Sequence, residues 1–200
     1  MAITLIHDDA AHCAGAFDLI LTDPPFDLPG KKLANILSRF DAPHLVLITS
    51  MQQFIEYFPL CGYDFCFDFV LDQVTPKKAK SIHAPNYTHS NGFYLRKKGT
   101  KSAFNRKLRE RSDVFDNSGY WPTVLRAPRQ AMGDHGQSKN EQAIIGLLGS
   151  FEIKNVVDPF AGSGTVGLAA AELGLDCTLI ELDAENVKLI RKNLKFLGVI

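Results

Sequence analysis

The sequence predicts an α/β fold, a doubly wound and mostly parallel sheet of about seven strands with helices on both faces. Three observations carry this expectation. After residue 140, strand-like runs alternate with helical ones in the manner of βαβ units. Phe17-Asp18-Leu19-Ile20-Leu21 and His44-Leu45-Val46-Leu47-Ile48-Thr49 are apolar enough for buried strands. Two loops, Thr22-Asp23-Pro24-Pro25-Phe26 and Asp158-Pro159-Phe160-Ala161-Gly162-Ser163-Gly164-Thr165, each follow such a run. Ligands in open α/β sheets bind at the carboxyl ends of strands, so both loops are expected to face one cleft.

The elements follow in order. Ile3–Ile6 and Phe17–Leu21 read as short strands joined through Asp8-Asp9 and a small helical turn. Lys31–Phe40 carries Leu33, Ile36, Leu37 and Phe40 at helical spacing. Ser50 is placed to N-cap a helix running through Phe58. Tyr63–Val74 alternates apolar residues with Asp64, Asp68 and Asp72 and reads as a long strand. Gly92–Leu95 and Thr123–Leu125 look like strands within a polar, irregular stretch, and Lys97–Asn117 is its least core-like part, a loop expected to order on binding. The tail reads helix to Leu148, strand Ile153–Val157, helix Thr165–Leu173, strand Cys177–Ile180 and helix Ala184–Leu197.

The 200 residues suit one domain, and no apolar run approaches the roughly 20 residues of a membrane span. The first residues lack a basic region followed by a long apolar stretch, so a cytoplasmic location is expected. Cys13, Cys61, Cys66 and Cys177 include no C-x-x-C pair, which favours isolated buried thiols over zinc. Net charge is zero, yet fourteen basic residues face four acidic ones between Pro76 and Lys139, an excess of ten that the remainder of the chain cancels. With Phe93, Tyr94, Phe104, Phe115, Tyr120 and Trp121 interleaved, this segment is expected to contact nucleic acid.

Gly162-Ser163-Gly164-Thr165-Val166-Gly167 also satisfies G-x-G-x-x-G, with Glu181 at nearly the distance of a ribose-binding acid. Against a dinucleotide site, the fingerprint's first glycine comes directly off its strand, whereas Asp158-Pro159-Phe160-Ala161 intervenes here. The stretch from Asp158 through Leu173-Gly174 to Ile180-Glu181-Leu182-Asp183, taken with Asp23-Pro24-Pro25-Phe26, resembles the signature motifs of S-adenosylmethionine-dependent amino-methyltransferases. The order, catalytic loop first and glycine loop last, is similar to that of the β-class of DNA adenine-N6 and cytosine-N4 methyltransferases. In some ribosomal RNA guanine-N2 methyltransferases that share Asp-Pro-Pro-Phe, the glycine loop comes first instead.

The resemblance covers residues 3–74 and 135–197. It implies a Rossmann-like fold with circularly permuted motif order, one methyltransferase domain over 1–200, and a small basic target-recognition region inserted at 75–134. It implies S-adenosylmethionine as cofactor, with Asp158, Phe160, Gly162, Gly164 and Thr165 in its loop and Glu181 accepting from the ribose hydroxyls. Asp9 would meet the cofactor's adenine amine, although Asp8 stands where glycine is usual. Lys139 would hold the cofactor's carboxylate; only His135 and Lys139 match the family's His-Pro-x-x-Lys-Pro.

The catalytic residues implied are Asp23, Pro24, Pro25 and Phe26. A base amine is a poor nucleophile because its lone pair is delocalised; Asp23 and the Pro24 carbonyl would accept its two hydrogens, and Phe26 would stack on the base. Such enzymes flip the target base out of the duplex. Aspartate in first place favours adenine N6, so the expectation is an adenine-specific DNA methyltransferase of small orphan or phage type acting on double-stranded DNA. Cytosine-N4 or RNA methylation and a non-catalytic nucleic-acid-binding relative are the alternatives, and a homodimer is left open.

Overall fold

In a computed structural model of the chain, residues 1–77, 82–83, 87–108, 121–126, 141–196 and 198 are described. Eight strands form one sheet, in the spatial order β1 (Ile3–His7), β10 (Asp176–Glu181), β9 (Asn155–Asp158), β3 (Leu19–Thr22), β5 (His44–Thr49), β7 (Tyr87–Lys97), β6 (Tyr63–Lys77) and β8 (Val124–Arg126). Neighbours run parallel except on either side of β7. A second, two-stranded sheet pairs β2 (Gly15–Ala16) with β4 (Phe40–Asp41). The main sheet holds eight strands among the described residues, against an expected count of about seven. The Thr123–Leu125 run read as a strand is its edge, β8, which pairs Val70 with Val124 and Leu71 with Leu125.

Among the described residues, five α-helices cover the two faces: α1 (Gly30–Leu37), α2 (Met51–Tyr57), α3 (Glu141–Leu148), α4 (Thr165–Leu173) and α5 (Ala184–Phe196). The two-residue period of the strands divides the core between them. Leu19, Leu21, Val46, Ile48 and Leu179 pack with α3, α4 and α5, while Ile20, Leu45, Leu47 and Ile180 pack with α1 and α2. Such two-sided cover is why β3 and β5 are buried along their whole length. Ser50 caps α2 as its position predicts, accepting from the Gln53 amide at 3.2 Å.

Four of the six aromatics in the basic segment, Phe93, Tyr94, Phe104 and Trp121, are engaged in packing, which corrects the reading of those four as nucleic-acid contacts. Phe93 stacks on Phe54 with ring centroids 3.7 Å apart, and Tyr94 is fully buried. Phe104 and Trp121 meet edge to face at 5.1 Å, and both pack on Phe67. Phe115 and Tyr120 lie outside the described residues. The stretch from Lys97, read as least core-like, is docked where it is described. Ala103 accepts from the Glu152 amide at 2.8 Å, and Asn105 donates to the Ser150 carbonyl at 2.8 Å. The physical reason is that β6 and β7 also need an apolar cover, and these residues supply it.

All four cysteines are free, with Cys177 buried, and no group of three or more metal-binding side chains occurs among the described residues. No described helix is long and apolar enough to cross a membrane.

Gly92 on β7 marks the closest approach in the sheet's outer half. A Cβ added there would lie 2.1 Å from Cζ of Phe69, a ring that is itself buried and held against Trp121. Gly92→Ala is therefore expected to destabilise the protein by about 1–3 kcal/mol through overpacking. The thermal unfolding midpoint should drop by roughly 2–4 °C per kcal/mol. An unchanged midpoint would show that the ring can move aside without cost.

Candidate active site

Strands β3 and β9 are neighbours, and the chain leaves them in opposite directions, from β3 through α1 to β5 and from β9 through α4 to β10. Loops that diverge from adjacent carboxyl ends open a crevice between them. Here the crevice has a volume of about 1020 Å³. The loop after β3 contributes Asp23, Pro24, Pro25 and Phe26 to its wall, and the loop after β9 contributes Phe160 and Gly162. Asp9, after β1, and Glu181, ending β10, complete the set that the structure brings together.

Two of the wall carboxylates, Asp9 and Glu181, are held by backbone amides. Asp9 caps the turn Ala10–His12, accepting from the Ala11 amide at 2.8 Å. Glu181 accepts from the Gly162 amide with one oxygen and from the Asp183 amide with the other, both at 2.7 Å. Its carboxylate thereby ties the glycine loop to the end of β10. Gly162 has φ +53°, and a Cβ there would meet no protein atom nearer than the Phe160 carbonyl at 4.0 Å, so the backbone faces open crevice. Phe26, by contrast with the core aromatics, is 47% exposed.

Asp158, Gly164 and Thr165 do not line the crevice. Asp158 is buried beneath it, where its Oδ1 accepts from the Thr22 hydroxyl at 2.7 Å and from the Phe160 amide at 3.1 Å. Gly164, at φ +83°, brings the loop against Ile190 of α5, which a Cβ would approach to 2.9 Å. The Thr165 hydroxyl pairs with that of Ser163 at 3.1 Å. Lys139 and His135 lie outside the described residues.

The structure adds two residues that the sequence did not single out. Thr22 joins the two loops through Asp158, across 136 positions of sequence. Gln53 on α2, only 2% exposed, donates its amide hydrogens to the carbonyls of Pro25 and Leu28. A threonine ending a buried strand, and a glutamine in the first turn of a helix, were the signals available.

The crevice is acidic. Asp8, Asp9, Asp23, Asp27, Glu181 and Asp183 line it with a single described cation, Lys32. Burial is the main cause that pushes the Asp158 carboxyl up to about 7, with Asp23 and Glu181 adding to it and the Thr22 and Phe160 hydrogen bonds opposing it.

The folded protein thus keeps this proton to higher pH than the unfolded chain, whose carboxyl titrates near 3.8. The contribution to stability is fully present below about pH 3.8 and is lost as pH rises towards 7, by at most ~1.4 kcal/mol per unit. Asp158→Asn keeps an acceptor for both donors, so the variant should lose that slope. Denaturant midpoints of the two proteins should converge as pH falls from 7 to 4, and parallel curves would refute the assignment.

In sequence, residues 63–192 match the family model of the N6/N4 DNA methylases, a span that contains the glycine loop and Glu181 and begins after the Asp23 loop. No curated protein matches the chain. Among solved structures, the complex of M1.HpyAVI with SAM superposes with a TM-score of 0.73 at 22% identity, covering 96% of this chain and 100% of that one. TTHA0409 from Thermus thermophilus, complexed with S-adenosyl-L-methionine, gives 0.69 at 19% identity over 96% and 93%. The cytosine-N4-specific PvuII DNA methyltransferase gives 0.73 at 14% identity over 96% and 86%. These likenesses show a shared fold. The family match spans well over half of the sequence, and by it the chain belongs to the DNA methylases, the amino-methyltransferase family of adenine-N6 and cytosine-N4 enzymes.

Proposed function

We propose that this protein transfers a methyl group from S-adenosylmethionine to the N6 amine of adenine in DNA. One observation carries the reading: the Asp-Pro-Pro-Phe loop and the glycine loop with Glu181, at opposite ends of the sequence, line the same crevice. The lining chemistry fits the cofactor. S-adenosylmethionine carries a sulfonium and an ammonium against one carboxylate, and the described residues of the wall offer six carboxylates to one lysine. Glu181 would receive the ribose hydroxyls beside the open backbone of Gly162, and Asp9 the adenine amine. Lys139 is assigned to the cofactor's carboxylate on the sequence pattern alone. Gly164 and Thr165 would act through the loop that they shape, and Asp158 through the loops that it joins.

When bound, the cofactor supplies an electrophilic methyl on sulfur. The chain's residues then have to prepare the nitrogen. Asp23 and the carbonyl of Pro24 accept the two amine hydrogens, which favours a pyramidal nitrogen whose lone pair is released from the ring. Pro24 and Pro25 fix φ along the loop, so these acceptors need no reorganisation as charge develops. Phe26 presents a ring face on which an extruded base stacks. An aspartate in the first position of the loop favours adenine over cytosine.

Mass spectrometry of nucleosides after incubation with cofactor and duplex DNA should reveal N6-methyladenine. N4-methylcytosine in its place would move the chain to the other branch of the family, and methylated RNA would change the substrate class. Asp23→Ala should cost at least about 10²-fold in turnover with cofactor affinity nearly unchanged. Glu181→Ala should do the reverse, weakening cofactor binding by about 1.5–3 kcal/mol in a calorimetric titration. Unchanged affinity would remove Glu181 from the site, and saturable NADH binding would favour the dinucleotide reading.

The basic segment is assigned to the DNA backbone. Neutralising the exposed Lys98, Lys101, Arg106 and Lys107 should flatten the dependence of log K on log salt by about 0.9 for each phosphate that the variant no longer neutralises. A wild-type slope in that variant would mean that these charges only solvate the loop.

A further inference from the structure

The loop from Thr22 to Gly30 has an unusual supply problem. Pro24, Pro25 and Pro29 have no N–H, so the loop is rich in carbonyl acceptors and poor in donors of its own. Part of the shortage is met internally, where the Leu28 amide donates to the Pro25 carbonyl at 3.0 Å. Glu56 takes up the Gly30 amide at 3.1 Å where the loop becomes α1. Further donors come from a buried side chain. Gln53 reaches from α2 and gives one amide hydrogen to the Pro25 carbonyl at 2.9 Å and the other to the Leu28 carbonyl at 2.6 Å. Its own oxygen accepts from the Thr49 hydroxyl, which fixes the direction in which the carboxamide faces. Both Thr49 and Gln53 are buried, at 1% and 2% exposure, and neither lines the crevice.

We propose that Gln53, oriented by Thr49, is the positioning residue of the catalytic loop: by clamping the Pro25 and Leu28 carbonyls it sets the peptide planes on both sides of Phe26 and Asp27, and so holds the base-stacking ring and the Asp23-Pro24 acceptors in register. The assignment rests on the proposed methyl transfer for its catalytic consequence and on the hydrogen bonds alone for its structural one. Position 53 is otherwise occupied as a capping rule would have it, third after the N-cap Ser50, where a glutamine side chain ordinarily turns back to its own helix. Here the side chain crosses to another loop. Removing the carboxamide takes a donor from each of two half-buried carbonyls, an asymmetry that makes the loop rearrange rather than merely soften.

Gln53→Leu is expected to lower kcat at least tenfold while the calorimetric affinity for S-adenosylmethionine stays within about twofold, because Glu181 and the glycine loop are untouched. Independently of activity, hydrogen exchange at the Leu28 amide should accelerate at least tenfold while the amides of β3 and β5 keep their protection. Gln53→Glu supplies a second reading if the leucine variant does not fold. A carboxylate faces both carbonyls with no hydrogen to give, and its protonated form donates to one, so activity relative to wild type should rise as pH falls.

Wild-type turnover in Gln53→Leu, or a pH-independent ratio in Gln53→Glu, would overturn the positioning role. An unaltered Leu28 exchange rate would overturn the clamp itself. Wild-type protein that methylates no nucleic acid, with Leu28 exchange still accelerated in the variant, would sink the methyltransferase reading and with it the catalytic role of Gln53, leaving only the clamp.

Discussion

The Thr22–Asp158 hydrogen bond is the interaction on which the crevice depends. It spans the seam between β3 and β9, where the two loops diverge, and it is buried. The parallel pairing of Leu19 with Val156 and Ile20 with Val157 brings the strands into register, and the hydroxyl–carboxyl pair then fixes their last residues against each other. A carboxyl in that place is costly, since burial disfavours its charge, and the protein meets the cost by holding it partly protonated near neutrality. Asp158 also accepts from the Phe160 amide, so the same group shapes the first turn of the glycine loop.

From that seam the geometry of the wall follows. Glu181 stands one strand away from β9 at the end of β10, within reach of the Gly162 amide, and closes the glycine loop from the other side. Asp9 follows β1, the strand beyond, whose His7 is paired with Glu181. On the opposite flank β5 delivers Thr49 and α2 delivers Gln53 to the proline-rich loop. The two loops are thus braced by different mechanisms. One is tied through backbone amides to a carboxylate, and the other, poor in amides, through its carbonyls to a carboxamide.

How much of this was legible in the sequence follows from the range of each constraint. Continuous apolar runs such as His44–Thr49 announced their strands because burial on both faces leaves no polar alternation to misread. Helix α4 was read at its structural bounds because glycines with positive φ flank it at Gly164 and Gly174. The loop residues facing the crevice were legible because their motif is local. Three things were not. Asp158 belongs to the motif, yet its burial depends on a partner 136 residues away. Gln53 carries the local signature of a helix start, and only the tertiary contact shows that its side chain serves another segment. Phe93, Tyr94, Phe104 and Trp121 sit among basic residues, so composition pointed outward, whereas the outer strands β6 and β7 needed them for cover.

The distribution of charge makes a last physical argument. The chain is neutral overall, yet the segment between Pro76 and Lys139 holds fourteen basic residues to four acidic ones. Among the described residues the crevice wall has the opposite balance, with six carboxylates and one lysine. A phosphate backbone brought into such a crevice would meet net repulsion, and a neutral base with amine hydrogens would meet acceptors. On the proposed function the two fields divide the task. The basic segment draws the duplex by its phosphates, and the acidic crevice admits only what leaves the phosphates behind, a single base turned out of the stack. On that proposal, the electrostatics of the site would favour base extrusion, as does the burial of the amine inside the helix.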